Sequence, residues 1–282
     1  MTKVPEEVLS LDARERIVLM NGDFWVDYGP GEKIFKMINN TSRVPKRITA
    51  PALIVSGIGG TGKSAIVKQI PKRVEHSDRL LFLDMAVDPE YPQIKKTFNS
   101  ELCRALGIPP QGSFKAKQGN WISHELSDTL KLREIWGIVI DEIHELLLVK
   151  KDEQRINGSI LKTLMGERFG QCLFGFGVFG AATVLGAKPE TKRRFTEIML
   201  SDWRETEEFR GFLLAVEENL PLREPSKLYE KDMVRTILQS THGRMDQVIN
   251  LIRSAGCYAL QSGKEHIDIE CLKAAAENEW LY

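Results

Sequence analysis

Five short apolar runs mark the first two thirds of the chain, at residues 52–56, 80–85, 136–141, 172–177 and 195–200. Each is too brief for a helix and is bounded by polar or glycine-containing turns, so each predicts a strand buried on both faces. The intervening stretches carry apolar residues at helical intervals. Strands alternating with helices predict a parallel sheet covered on both sides. Beyond Asp202 the strand pattern stops. Residues 205–220, 227–240, 245–262 and 269–279 all show helical spacing, broken at Pro221, Pro225, His242-Gly243 and Gly263, and predict a small all-helical unit. Ahead of the first strand the pattern is weaker. It predicts an arm and a short helix near residues 33–39, with Gly29-Pro30-Gly31 as the punctuation after Trp25-Val26-Asp27-Tyr28. The expected division is therefore an N-terminal arm and helix at 1–50, an α/β core at 51–202 and a helical subdomain at 203–282.

One connection is unusually long. Between the second and third strands the chain predicts a helix at 93–106, a Gly/Pro-rich loop at 107–120 and a second helix at 121–132. Loops of this length inside a compact domain are commonly functional. Lys115 and Lys117 stand at its tip beside Phe114, a composition that suits a phosphate backbone and equally suits an inert insertion.

The first strand runs straight into Gly57-Ile58-Gly59-Gly60-Thr61-Gly62-Lys63-Ser64, and helical spacing resumes at Ser64. A Gly-x-x-x-x-Gly-Lys-Ser loop between a strand and a helix is the setting in which backbone N–H groups cradle phosphates. Gly57, Gly59, Gly60, Thr61 and Gly62 would turn their amides onto a triphosphate, Lys63 would reach its β/γ oxygens, and the Ser64 hydroxyl suits Mg2+. The third strand ends in Asp141-Glu142. Such a pair supplies an Asp that supports Mg2+, directly or through water, and a Glu that polarises an attacking water. An acidic helix start after a strand is the competing reading. The expected ligands are ATP and Mg2+. Tyr28 is a candidate to stack on adenine or simply an aromatic packed on the first helix.

Composition narrows the class further. The 282 residues suffice for one large domain or a medium and a small one. Lysine plus arginine equals aspartate plus glutamate at 39 each, which excludes a uniformly basic nucleic-acid coat. Any such contact would come from local patches: Arg43 with Lys46-Arg47, Lys68 with Lys72-Arg73, Lys115 with Lys117, or Lys192-Arg193-Arg194. Each of these also reads as an ordinary solvated face. Cys103, Cys172, Cys257 and Cys271 lack Cys-x-x-Cys spacing and read as reduced core residues, consistent with a cytoplasmic protein. The N-terminal residues show no signal-like apolar segment, and no run approaches the about 18 apolar residues that a membrane span needs.

A P-loop core followed by a helical unit resembles the AAA+ ATPases over nearly the whole chain. That resemblance implies an α/β P-loop NTPase fold, a parallel-sheet core with a small all-helical C-terminal lid, and nucleotide held between neighbouring subunits of a homo-oligomer. It implies an arginine acting in trans, for which Arg193 or Arg194, just before the last core strand, is the candidate; a basic helix end is the other reading. Thr241-His242-Gly243-Arg244-Met245 looks like the start of a second-sensor helix, with Arg244 reporting the γ-phosphate.

Within AAA+, the chain resembles the short members of the TniB/TnsC transposition regulators. The features that carry this are the arm before the P-loop, Asp141-Glu142-Ile143-His144, the Gly177-to-Ala181 turn, Arg193-Arg194-Phe195 followed by Trp203, and Gly243-Arg244 with Asn250-Leu251-Ile252 and Ala259. The resemblance implies an ATPase that assembles as a ring or filament on duplex DNA through backbone contacts. It would link a transposase to a target-selection protein of the TniQ type, which in some members works with an RNA-guided complex. One departure stands out. The strand tip expected to hold a first sensor reads Gly177-Val178-Phe179-Gly180-Ala181, and Val178 can neither donate nor accept a hydrogen bond. Either another residue substitutes or hydrolysis is slow. Rival readings are an AAA+ helicase loader or replication initiator, and a scaffold that binds ATP without useful turnover.

Overall fold

The computed structural model describes residues 4–44, 48–86, 96–109, 122–146, 148–178 and 195–280. The described residues fall into two compact units. One comprises Lys33–Gly59 and Lys63–Leu200; the other comprises Met1–Glu32, Gly60–Gly62 and Ser201–Tyr282.

The first unit is built on strands β1 (Ala52–Ser56), β2 (Leu80–Asp84), β3 (Gly137–Asp141), β4 (Cys172–Gly177) and β5 (Phe195–Met199). They form one sheet in the order β2-β3-β4-β1-β5, and every neighbouring pair is parallel. Central β1 and β4 are buried along their whole length, as continuous apolar runs demand when both faces are covered. Edge strand β5 exposes Thr196, Glu197 and Met199 and buries Ile198, while the Glu197 carboxylate accepts the Ser56 hydroxyl of β1 at 2.6 Å.

Helices α4 (Lys63–Arg73), α5 (Phe98–Ala105), α6 (His124–Leu132) and α7 (Lys151–Met165) belong to the same unit. Thr97 and Ser123 cap α5 and α6 by accepting the N–H groups of Ser100 and Leu126. Leu102, Leu126, Leu130, Ile160 and Leu164 pack with Ile54, Leu83, Ile138 and Leu173 of the sheet in one apolar cluster.

Register aligns the carboxyl ends of the strands: Ser56 lies beside both Gly177 and Met199, and Asp84 beside Asp141. In an open parallel sheet this edge is where ligands bind. One close approach shapes it. A Cβ on Gly175 would lie 2.5 Å from Ile143 Cδ1 and 2.8 Å from Ile54 Cδ1, so the glycine lets the 143–146 turn lie flat against β4. Buried Asn157 of α7 donates to the Leu146 carbonyl at 3.0 Å and fixes the far end of that turn.

The second unit contains α1 (Glu6–Ser10), α2 (Ala13–Met20), α8 (Glu207–Glu217), α9 (Lys231–Thr241), α10 (Met245–Ser262) and α11 (Ile269–Glu277). Met20 of α2 packs on α10 where Gly256 leaves space, since a Cβ there would come within 2.8 Å of the Met20 sulfur. Arg16, 2% exposed, donates to both carboxylate oxygens of Glu265 at 2.6 Å and to the Pro221 carbonyl. Arg223 adds a hydrogen bond to the Leu9 carbonyl. The N-terminal segment is thus pinned by arginines to the C-terminal helices.

Helix α3 spans Gly29–Ser42, longer at its start than the sequence pattern suggests. Gly29-Pro30-Gly31 forms its first turn instead of preceding it, because proline in that turn removes only an N–H that has no intrahelical partner. All four cysteines are buried and none forms a disulfide. Among the described residues, no helix is long and apolar enough to cross a membrane.

Candidate nucleotide site

The chain turns sharply after β1. The Gly57 N–H donates to the Gly177 carbonyl at 3.1 Å, which ties the start of the loop to the end of β4. Gly60 and Gly62 take φ values of +79° and +87°, the left-handed region in which side chains are disfavoured, and α4 starts at Lys63. Alternating backbone hand of this kind turns successive N–H groups to one side and makes an anion-binding concavity at a helix N-terminus.

Lys63 is 6% exposed, and its ammonium folds back over the loop to donate to the Gly57 and Ile58 carbonyls, each at 2.8 Å. Burial pushes it below the ordinary lysine value, opposed by the negative charges of Glu142 and then Asp141. The lysine thus feels the charge of both carboxylates. Thr61 is buried, while Ser64 presents its hydroxyl on the exposed side of the first helical turn. A Cβ on Gly59 would meet nothing, so the crest there is open.

Asp141 closes β3, half-buried, and its Oδ1 accepts the Glu142 N–H at 3.0 Å. Glu142 has φ +51°, a left-handed backbone on a residue that is not glycine. Such a conformation costs about 1–3 kcal/mol and persists only where the surroundings enforce it. Here the enforcing element is the 143–146 turn seated on β4. The Glu142 carboxylate Oε2 stands 3.0 Å from His144 Nδ1, and His144 Nε2 is 3.5 Å from Glu145 Oε1. Val178 follows the end of β4 and is 39% exposed.

These oxygens suit a hard cation. Among the described residues, no three His, Cys, Asp or Glu side chains converge as a self-sufficient metal cage. The Ser64 hydroxyl and the Asp141 carboxylate match the usual manner of holding Mg2+, with few protein oxygens and the balance from phosphate and water.

In the second unit, Arg244 is the N-cap of α10, immediately after Gly243 at φ +74°. Gly60, which clusters with this unit, accepts the Asp246 N–H at 3.0 Å. Tyr28 is buried among Trp25, Trp203 and Phe212, with ring centroids 5.9–6.0 Å away, and burial drives its phenol well above the ordinary value. Packing therefore accounts for this residue without a stacked base. Arg43 is paired with Glu75 at 2.7 Å, and Lys72 and Arg73 lie in the last turn of α4, where the helix dipole favours cations. Arg193 and Arg194 lie outside the described residues, as do Lys192, Lys46, Arg47 and the loop carrying Phe114, Lys115 and Lys117. His144 enters a reading of the sequence only as the end of Asp141-Glu142-Ile143-His144. Its place between two acidic residues was the signal available.

A parallel sheet in this strand order, a glycine loop after β1, acidic residues after β3 and a helical C-terminal part define an AAA+ P-loop ATPase fold. Solved structures agree. The chain is similar to the Orc1 protein of Aeropyrum pernix in complex with DNA, with 18% identity and a TM-score of 0.56 over 93% of this chain and 68% of that one. It is similar to Cdc6p from Pyrobaculum aerophilum, with 17% identity and a TM-score of 0.57 over 94% of this chain and 68% of that one. The ADP form of the Aeropyrum pernix ORC2 protein gives 15% identity and a TM-score of 0.58 over 95% of this chain and 72% of that one. At these identities the likeness is one of fold. No curated protein sequence matches the chain. Residues 16–205 match the family described as Bacterial TniB protein, and the chain belongs to that family.

Proposed function

We propose that the protein is an ATP-dependent regulator of DNA transposition, which assembles on duplex DNA and connects a transposase to a target-selection protein of the TniQ type. The observation that carries the nucleotide part is the glycine loop with left-handed Gly60 and Gly62 running into α4 at Lys63, with Asp141 closing β3 at the carboxyl edge of the same sheet. Membership of the TniB family carries the transposition part.

In this reading the loop amides beyond Gly57, whose own N–H is taken by the Gly177 carbonyl, and the Lys63 ammonium hold the phosphates of ATP, with Ser64 and Asp141 as the magnesium-binding oxygens. Magnesium, when bound, neutralises charge on the phosphate oxygens. Glu142 takes the proton of the attacking water and orients it. Arg193 or Arg194 of a neighbouring copy supplies the permanent positive charge that the departing phosphate needs, and Arg244 couples the state of the γ-phosphate to the helical unit. Nucleotide binding thereby drives ring or filament assembly, and hydrolysis drives release. Contacts to DNA run along the phosphate backbone, consistent with a chain of zero net charge that carries local basic clusters.

Electron microscopy of the protein with ATP and duplex DNA tests assembly, and phosphate release tests turnover. Continuous coats that vanish with Lys63→Ala are expected; unchanged oligomers with that variant would contradict nucleotide-driven assembly. Small open rings on single strands would instead indicate a helicase loader, a reading to which the likeness to Orc1 and Cdc6p lends support. Val178 favours a second alternative, an ATP-binding scaffold without turnover. Tight nucleotide binding without phosphate release, with or without DNA, would identify it.

A further inference from the structure

We infer that His144 is the positioning residue for Glu142: the imidazole fixes the direction of the carboxylate and provides the polar group that Val178 lacks at the end of β4. The inference rests on the hydrolytic reading above and deepens it.

Three observations converge. The first is contact. His144 Nδ1 is 3.0 Å from Glu142 Oε2 while Nε2 is 3.5 Å from Glu145 Oε1, so the ring lies between two carboxylates. The second is confinement. The His144 side chain is 17% exposed, and a Cβ on Gly177 would come within 3.3 Å of its Nδ1 and 3.1 Å of Ile143 Cγ2. A side chain on the last residue of β4 would press on the ring and on Ile143 by a few tenths of an ångström. The third is an unfilled valence. Nδ1 is buried and makes no hydrogen bond of good geometry, despite its closeness to Glu142. The two atoms are close without being aligned for a hydrogen bond.

The backbone supports the same conclusion. Glu142 is held at φ +51° by a turn anchored at both ends, through Gly175 beside Ile143 and through Asn157 on the Leu146 carbonyl. That turn delivers the carboxylate and the imidazole to one spot and leaves the glutamate little freedom except about its own side-chain bonds. A general base is useful only when its oxygen faces the water, and the partner that sets its direction contributes without touching substrate. At the neighbouring strand end, Val178 offers no donor or acceptor. Among the described residues, His144 is the polar side chain shown packed against both the end of β4 and Glu142.

Two measurements test this. The first needs no nucleotide. In 15N-histidine NMR of the full chain, Glu142→Gln is expected to move the His144 ring signals, because it replaces the carboxylate 3.0 Å from Nδ1 by an amide. Unchanged signals would overturn the contact and the inference with it. The second is steady-state phosphate release. His144→Ala is expected to lower kcat by about 10- to 100-fold, the scale for the removal of an orienting partner, with KM for ATP within about twofold. His144→Gln, which keeps an N–H donor, should recover most of the loss. An active wild type whose kcat is unaffected by His144→Ala, or a loss shared equally by alanine and glutamine, would overturn the positioning role. A wild type that binds nucleotide and releases no phosphate would overturn the hydrolytic reading itself, an outcome distinct from either.

Discussion

Replacing Gly243 by alanine tests whether the turn ahead of α10 is a mechanical requirement of the helical unit. Gly243 has φ +74°, and an added Cβ would lie 2.9 Å from the carbonyl carbon of Trp203 and 3.0 Å from its nitrogen, closer still to the carbonyl oxygen. Backbone atoms cannot rotate aside as a flexible side chain can. Relief requires residue 203 to withdraw, which breaks the 2.7 Å hydrogen bond from the Trp203 N–H to the Gly243 carbonyl. Left-handed backbone on alanine costs about 1–2 kcal/mol, and a buried amide left without its partner costs about 1–3 kcal/mol more. The sum is about 2–5 kcal/mol, and at roughly 2–4 °C per kcal/mol the melting temperature should fall by about 4–20 °C. Gly263 provides the control. It has nearly the same backbone, φ +72°, yet a Cβ there meets nothing within 4 Å. Gly263→Ala should therefore show the conformational penalty alone, about 1–2 kcal/mol. The assay is thermal unfolding followed by tryptophan fluorescence, since Trp203 stacks on Phe212 at 5.1 Å within the same unit. If the two variants melt within about 2 °C of each other, backbone overlap is not what makes glycine necessary at 243, and the reasoning fails.

Two further outcomes follow from the same geometry. Glu142→Gln should bind Mg·ATP with little change while phosphate release drops by about 10²- to 10⁴-fold, the range for a positioned general base; persistence of DNA-bound oligomers under electron microscopy would accompany it, and undiminished release would remove Glu142 from the mechanism. Burial would raise the carboxyl of Asp268, but hydrogen bonds from Lys264 and the Cys271 N–H outweigh it and hold the group at about 2. A depressed value contributes stability that is fully present above the unfolded value of about 4. That stability is lost as pH falls through about 2, so urea midpoints of wild type and Asp268→Asn should converge between about pH 4 and pH 2; parallel curves would show that the pairing contributes nothing.

The strands were readable because burial on both faces leaves little but apolar residues, and observed β1 and β4 coincide with their runs at 52–56 and 172–177. Helix α10 was equally plain, bounded by Arg244 and a left-handed Gly263. Elsewhere the local pattern gave out for identifiable reasons. Helix α2 hides its inward face because its buried residues are Arg16 and Met20, and an arginine reads as solvent-facing until its partner is known. That partner, Glu265, lies 249 residues away in sequence. The start of α9 at Lys231 falls later than helical spacing suggests because Lys227 adopts φ +55°, which no apolar pattern records. At the site, the glycine loop announced itself through its residue types, whereas the left-handed Glu142 and the ring of His144 against Gly177 depend on how the 143–146 turn meets β4.

That dependence has a consequence for how the site is controlled. The hand of the loop is set by its own glycines, with distant ties only where the Gly57 N–H meets Gly177 and the Gly60 carbonyl meets the Asp246 N–H. The position of the Glu142 carboxylate is set at second hand, through Ile143 on Gly175 and Asn157 on Leu146, by packing between elements distant in sequence. In the proposed mechanism, phosphate binding and water orientation thus rest on largely different structural supports. In that mechanism, a change that shifts the 143–146 turn by a fraction of an ångström would touch the phosphate cradle only where Gly57 meets Gly177, while turning the Glu142 carboxylate away from its water. For a protein whose proposed task is to persist on DNA until its partners gather, that separation allows the bound state to be kept and its lifetime to be adjusted independently.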